Sequence, residues 1–257
     1  MWTRKELKDN AKNALSRNYW PSVAVSLIIM ALCSGGGVAY SASNSSTDPS
    51  TSAVSQDLMN ANVDTYVAMF ITMMITVFAV AMIAVIINSA IAIFVANPML
   101  VGGERFFLTN GTEGQNAQVG LLGYGFKDGR YMNIVKTIFL KDLFQWLWSL
   151  LLIVPGIIKG YEYRMIPYLM AENPQMDYKT AFALSKKMMD GEKWNAFVLD
   201  LSFIGWSILC LCTCFALEVF YVGPYRRYTN AQLYLSLRNR LQEEGILEQN
   251  GLNGFAE

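Results

Sequence analysis

Residues 66–96 read YVAMFITMMITVFAVAMIAVIINSAIAIFVA, without one charged side chain. Leu, Ile, Phe and Val favour a bilayer centre while Lys, Arg and Asp are costly there, so this run reads as a membrane span. It exceeds the roughly 20 residues that a hydrocarbon core requires, which implies tilt or projection beyond one face. Working outward, no lysine or arginine occurs from Asn18 to Gly103. A first apolar segment, Pro21 to Val38, follows Tyr19 and Trp20, which sit where interfacial anchors belong. Residues 41–64, rich in Ser, Thr and Asn with Asp48, Asp57 and Asp64, are too polar to bury and read as an external loop.

The composition agrees. With 257 residues, 53% hydrophobic and 16% charged, the chain can supply roughly five to seven spans plus short connections, leaving no room for a large soluble domain. Twenty basic and twenty acidic residues give zero net charge, so no basic field points to nucleic acid. Histidine is absent, which removes the commonest general base and zinc ligand and any Ser/His or Cys/His pair. The residues call for no catalytic centre, cofactor or metal. The run Cys210, Cys212, Cys214 could hold a soft metal or pair oxidatively, but alternate positions on a helix face different ways. With Cys33 these read as small apolar side chains.

Positive charge orients the rest, since cytoplasmic segments are enriched in Lys and Arg. Residues 1–20 form a basic amphipathic helix, with Trp2, Leu7, Ala11, Ala14 and Leu15 against Arg4, Lys5, Lys8, Lys12 and Arg17, and are expected at headgroup level. The same beginning has features of a secretory signal peptide. The long cationic region and a poor cleavage site after Ser41 favour a retained anchor. If the apolar block 137–158 crossed once, the six cations of 159–193 would lie outside. A break at Pro155-Gly156 lets the chain return through 157–171 instead, either fully or as a re-entrant arm. A second turn near Thr213 likewise returns Arg226, Arg227, Arg238 and Arg240 to the inside.

The expectation is an all-α, polytopic helical membrane protein of about six passes, arranged as three helical hairpins with interfacial amphipathic helices. The parts are an interfacial helix 1–20, a first hairpin 21–96 with its loop at 41–64, and a cytoplasmic segment plus second hairpin over 97–171. A cytoplasmic amphipathic helix 172–193, a third hairpin 194–240 and a cytoplasmic tail 241–257 complete the chain. In the fourth part, Tyr178, Ala181, Phe182, Ser185 and Met189 share a face and Gly191 closes the helix. Both termini are expected in the cytoplasm, the protein in the cytoplasmic membrane, and its partners to be lipid and other membrane proteins.

An internal repeat supports three units. FLKDLFQWLWSLL (139–151) aligns with FVLDLSFIGWSIL (197–209) at an offset of about 58 residues, and Pro167-Tyr168 and Pro224-Tyr225 follow at nearly equal distances. Ala14-Leu15-Ser16-Arg17 before Trp20 echoes Ala183-Leu184-Ser185-Lys186 before Trp194. Repeat interfaces in membrane proteins are where sites are found. The opening MWTRKELKDNAKNAL, the stretch FLKDLFQWLWSLLLIVPGIIKGYEYRMIPYLMAENP, the block DGEKWNAFVLDLSFIGW and the motif YVGPY resemble a bacterial integral membrane family, domain of unknown function nine-seven-five. More distantly, the PG break, PYLMAENP and ALSKKMMDG are similar to the membrane region attached to some glycerophosphodiester phosphodiesterases, whose catalytic domain has no counterpart here. The resemblance implies the fold and brings no functional residues.

Ionisable side chains at depth need a partner or water, costing at least about 2.5 kcal/mol each. The candidates for an intramembrane polar network are Lys141, Asp142, Arg164, Asp200, Glu218 and Arg226. Equal distances from the turn near Thr213 predict a pair between Asp200 and Arg226 or Arg227, while Arg164 lies within reach of Asp142. Asn88 reads as an interhelical hydrogen-bonding residue. The aromatic residues at 146, 148, 161, 163, 168, 194 and 206 read as interfacial anchors or packing. The functional expectation is a non-enzymatic scaffold, assembly or envelope-homeostasis component; the alternative is a small transporter or channel with a polar pathway near Asp142 and Asp200.

Overall fold

A computed structural model describes residues 2–33, 63–112, 117–127, 129–213, 216–252 and 254. Among them every regular element is helical. Two units divide the chain, 34–92 and the remainder. Most of the loop expected at 41–64 lies outside the described residues, as do Cys214 and the side chains of Cys33 and Cys212.

In the smaller unit the helix Val63–Ile91, α3 in chain order, carries apolar side chains on every face, and nearly all are exposed. One helix among the described residues, within Thr65–Gly111, is long and apolar enough to cross a membrane. Three of its polar side chains are satisfied locally: Thr72 donates to the Ala68 carbonyl, Thr76 to the Thr72 carbonyl and Asn88 to the Ala84 carbonyl. The interhelical bond expected of Asn88 is therefore replaced by one inside its own helix, where the i−4 carbonyl is always within reach.

The larger unit is built around α4, Asn97–Gly111, whose segment Val101–Leu108 is buried throughout. α1 (Arg4–Arg17), α2 (Tyr19–Cys33) and α11 (Gly223–Glu243) pack with it. So does the 3₁₀ segment Val119–Phe126, and Gly102 permits that approach, since a Cβ there would meet the Leu122 carbonyl. α1 is capped by Thr3, whose hydroxyl accepts from the Glu6 amide. Its face of Leu7, Ala11, Ala14 and Leu15 is buried, chiefly against α11, rather than turned to lipid as its amphipathicity suggested. Any apolar partner satisfies such a face, and here it is protein.

Three core helices begin with proline in the first turn: α4 at Pro98, α7 (Ile166–Glu172) at Pro167, and α11 at Pro224. Proline has no N–H and clashes with the carbonyl four residues back, so it suits a helix start and disturbs what precedes. π-helical segments, Ala92–Ala96 and Glu218–Val222, directly precede α4 and α11. The Phe94 carbonyl, which Pro98 cannot serve, accepts instead from the Tyr131 hydroxyl at 2.9 Å.

α5 (Tyr131–Leu151) and α6 (Ile153–Glu162) form a tight hairpin whose break is the extended residue Leu152, not Pro155-Gly156. Pro155 falls in the first turn of α6, where its missing N–H costs nothing, and so cannot act as the turn. Gly156 serves close approach, because a Cβ there would lie 2.8 Å from Ser149, and its carbonyl accepts from Gln145 at 2.8 Å. The returning arm also kinks at 163–165 before α7, where the sequence suggested one helix over 157–171. Leu150 to Val154 at the apex are 62–77% exposed.

α8 (Tyr178–Met188) starts at Asp177, which accepts from the Lys179 amide, and is followed by Gly191 at φ +74°. α9 (Lys193–Leu201) and α10 (Ile204–Cys212) form the outgoing arm of the last hairpin, with Trp194, Leu201, Ile204 and Ile208 exposed. The residues after α11 are not a free tail: α12 (Ile246–Gln249) follows, and Leu247 and Leu252 are buried.

Candidate functional site

Asp200 comes from the end of α9 and Arg164 from the kink between α6 and α7. The guanidinium meets both carboxylate oxygens, Nη1 to Oδ2 at 2.6 Å and Nη2 to Oδ1 at 2.8 Å. Tyr161 donates its hydroxyl to Oδ2 at 2.9 Å, and Arg164 Nη2 also reaches Asn230 Oδ1 of α11 at 2.7 Å. Paired forks of this type are strong and directional. The node joins the base of the second hairpin to the base of the third.

A second node lies two residues earlier. Glu162 is buried and accepts from Lys159 and from Lys193 of α9, each at 2.6 Å. The Ser185 hydroxyl of α8 donates to the Glu162 carbonyl and accepts from the Met165 amide. Deeper in the core, Glu172 of α7 takes a bidentate contact from Arg238, the Tyr234 hydroxyl at 2.7 Å and the Gly254 amide at 3.1 Å. Glu104 of α4 meets Arg227 of α11 at 3.4 Å. Burial pushes the Glu104 carboxyl above the usual carboxylate range, opposed by Arg227 and then by a hydrogen bond from Tyr168.

The six residues expected to form one network occupy three places. Lys141 pairs with its neighbour Asp142 at 2.8 Å, and the Asp142 side chain is half exposed. Arg164 and Asp200 form the node above. Arg226 lies 3.6 Å from Glu218, and the Cys210 thiol donates to Glu218 at 3.4 Å. Asp200 therefore pairs with Arg164 rather than with Arg226 or Arg227, and Arg164 does not pair with Asp142. Counting residues from a turn gives depth but not azimuth. The arginines of α11 are turned toward Glu218 and Glu104.

Sequence reasoning missed Glu104, Tyr161, Glu162, Glu172, Lys193, Asn230 and Arg238 as node members. One signal was available: Glu104-Arg105 stands in an otherwise apolar run, and buried charges require partners. Chemically, the nodes pair cations with carboxylates and brace helices. Among the described residues no three of His, Cys, Asp and Glu gather as a metal site.

Residues 150–241 match the family described as "Protein of unknown function (DUF975)". The matched segment runs from the end of α5 nearly through α11 and contains Arg164, Asp200, Glu162, Glu172 and Arg238. No match is found among curated proteins or among solved structures. The more distant likeness to the membrane region of glycerophosphodiester phosphodiesterases has no support in these comparisons.

Proposed function

We propose that this chain, similar over 150–241 to that family, is a non-enzymatic multi-pass protein of the cytoplasmic membrane, acting as a scaffold or assembly component with both termini cytoplasmic. The observation carrying the proposal is the extent of exposed apolar surface. It covers α3, the apex Leu150–Val154 and the strip Leu201, Ile204 and Ile208. Water-soluble monomers rarely expose contiguous apolar patches beyond a few hundred Å², and a bilayer would cover all three. The functional part of the reading, bracing rather than conduction, is supported by the nodes: Asp142 and Asp200 take different cations instead of facing each other. A transporter or channel would need them to share a wet cavity.

Helix lengths favour a variant of the six-pass arrangement. From Asp142 to Leu152 the helical rise gives about 15 Å, and from Asp200 to Thr213 about 20 Å, short of a hydrocarbon core of about 30 Å. In this reading the first hairpin crosses, with 41–64 outside, while the two later hairpins enter from the cytoplasmic side and return. All the cations then remain inside, as the positive-inside rule asks.

Single cysteines in a background with the four native cysteines replaced test both levels. Positions in 41–64 should react with an impermeant thiol reagent on intact cells, while Ile153→Cys and cysteines at 180–190 should react only after permeabilisation or not at all. Labelling of Ile153→Cys from outside would restore a full crossing, and labelling at 180–190 would overturn the orientation. Loss of an uptake or efflux phenotype in Asp200→Asn, with the amount of folded protein unchanged, would replace the scaffold reading by the transporter.

A further inference from the structure

Lys159, Arg164, Lys193, Arg227 and Arg238 of the larger unit each meet a carboxylate, whereas Arg4, Lys5, Lys8, Lys12 and Arg17 of α1 make no ion pair among the described residues. Lys8 lies over the Phe203 ring, 4.7 Å from its centroid. Burial, and then the adjacent charges of Arg4 and Lys12, draw its ammonium below the ordinary lysine range. α1 carries five cations against two carboxylates, Glu6 and Asp9, and so is net positive.

Beside it is a cavity of about 700 Å³ between the start of α1 and α9, lined by Trp2, Arg4, Lys5, Trp194 and Asn195 among others, with no carboxylate in its wall. That volume falls within the range of about 300–1,000 Å³ usual for small-molecule sites. The Trp2 indole N–H is buried without an acceptor among the described residues. Trp194 is 71% exposed. It stands six residues, or roughly 9 Å, on the polar side of Asp200. If the apolar strip beyond Asp200 enters the hydrocarbon, as proposed above, Trp194 and the cavity lie at headgroup depth, where Trp and Tyr concentrate.

We infer that this cavity binds the phosphate of an anionic phospholipid headgroup, with Arg4 and Lys5 meeting its charge and Trp2 and Trp194 flanking the glycerol region. Basic pockets on the cytoplasmic side of membrane proteins hold anionic headgroups, and Trp is enriched at that depth. The assignment rests on the membrane reading.

The experiment is native mass spectrometry of the full chain, purified in a nonionic detergent and supplied with phosphatidylglycerol and phosphatidylcholine together. Preferential retention of phosphatidylglycerol is expected, falling about thirtyfold in apparent affinity in Arg4→Gln/Lys5→Gln, since each cation near a surface contributes about a factor of five. Lys12→Gln/Arg17→Gln removes equal charge from the same helix outside the cavity and should change retention less than about threefold. Circular dichroism checks that both variants are folded, and Trp194→Leu, expected to weaken retention without removing charge, provides an independent probe. Equal losses from the two charge variants would mean diffuse attraction and overturn the site. So would the absence of a phosphatidylglycerol preference, or binding of inorganic phosphate alone with displacement of the lipid. Alkaline extraction separates the two readings: a protein that stays in the membrane but shows no preference loses only the cavity assignment, whereas one extracted by alkali loses the membrane reading.

Discussion

Arg164 and Asp200, 36 positions apart, meet through two N–H···O contacts of 2.6 and 2.8 Å, and by doing so join two hairpins that are each exposed and apolar beyond that point. The pair is neither fully buried nor free in water, with side-chain exposures of 16% and 39%. Its contribution should lie between that of a surface pair and that of a buried one. Asp200→Asn is expected to cost about 2 kcal/mol, the scale of hydrogen bonds to a charged group. This corresponds to a Tm lower by roughly 4–8 °C in detergent. Arg226→Gln should shift Tm by less than half as much, and equal shifts would mean that the pair does not brace the hairpins.

Glu172 should be the more sensitive position. Its side chain is wholly buried and takes Arg238, Tyr234 and the Gly254 amide. Glu172→Ala leaves the buried part of Arg238 without its counter-ion, a change of about 3–5 kcal/mol in dry sites. Tyr234→Phe removes one hydrogen bond and should cost about 1–3 kcal/mol. Because the node also holds the chain near Leu252, limited proteolysis should cut after α11 sooner in Glu172→Ala than in the parent.

Two glycines offer a contrast in which only one outcome follows from packing. Gly102→Ala places a methyl group against the Leu121 and Leu122 carbonyls and should destabilise by about 1–3 kcal/mol. Gly120→Ala meets nothing within 4 Å and, at a position with negative φ, should be neutral or stabilising by up to about 1 kcal/mol through the unfolded chain. Denaturant or thermal unfolding of both variants checks the close packing of α4 on the 3₁₀ segment.

Glu104 predicts a pH dependence. Burial raises its carboxyl above the ordinary value even with Arg227 beside it, so the folded state holds this proton more tightly than the unfolded state does. Its contribution is thus fully present below the unfolded carboxylate range and is lost as pH rises through the elevated folded value. In Glu104→Gln that decline should disappear, so the difference in Tm between variant and parent should change on titration from acid to neutral pH. A constant difference across that interval would show that Glu104 does not titrate with folding.

Much of this architecture was legible locally. The apolar run over 66–96, Gly191 after α8 and the buried face of Ala181 and Ser185 are each settled by residues within a turn or two of one another. The matched Pro167-Tyr168 and Pro224-Tyr225 also marked real helix starts, because a missing N–H and a fixed φ act on the chain where they stand.

What the sequence by itself determined, then, is helical class and the separation of apolar from cationic segments, both governed by propensity and solvation of short stretches. Tertiary structure alone decided that Pro155-Gly156 is an approach point and not a turn, that the apolar face of α1 meets α11, and that Asp200 selects Arg164 over Arg226. Several cations lie at similar positions along their helices, so spacing leaves the choice open. Helix rotation and packing close it, by bringing one guanidinium into bidentate geometry and turning the others toward Glu218 and Glu104.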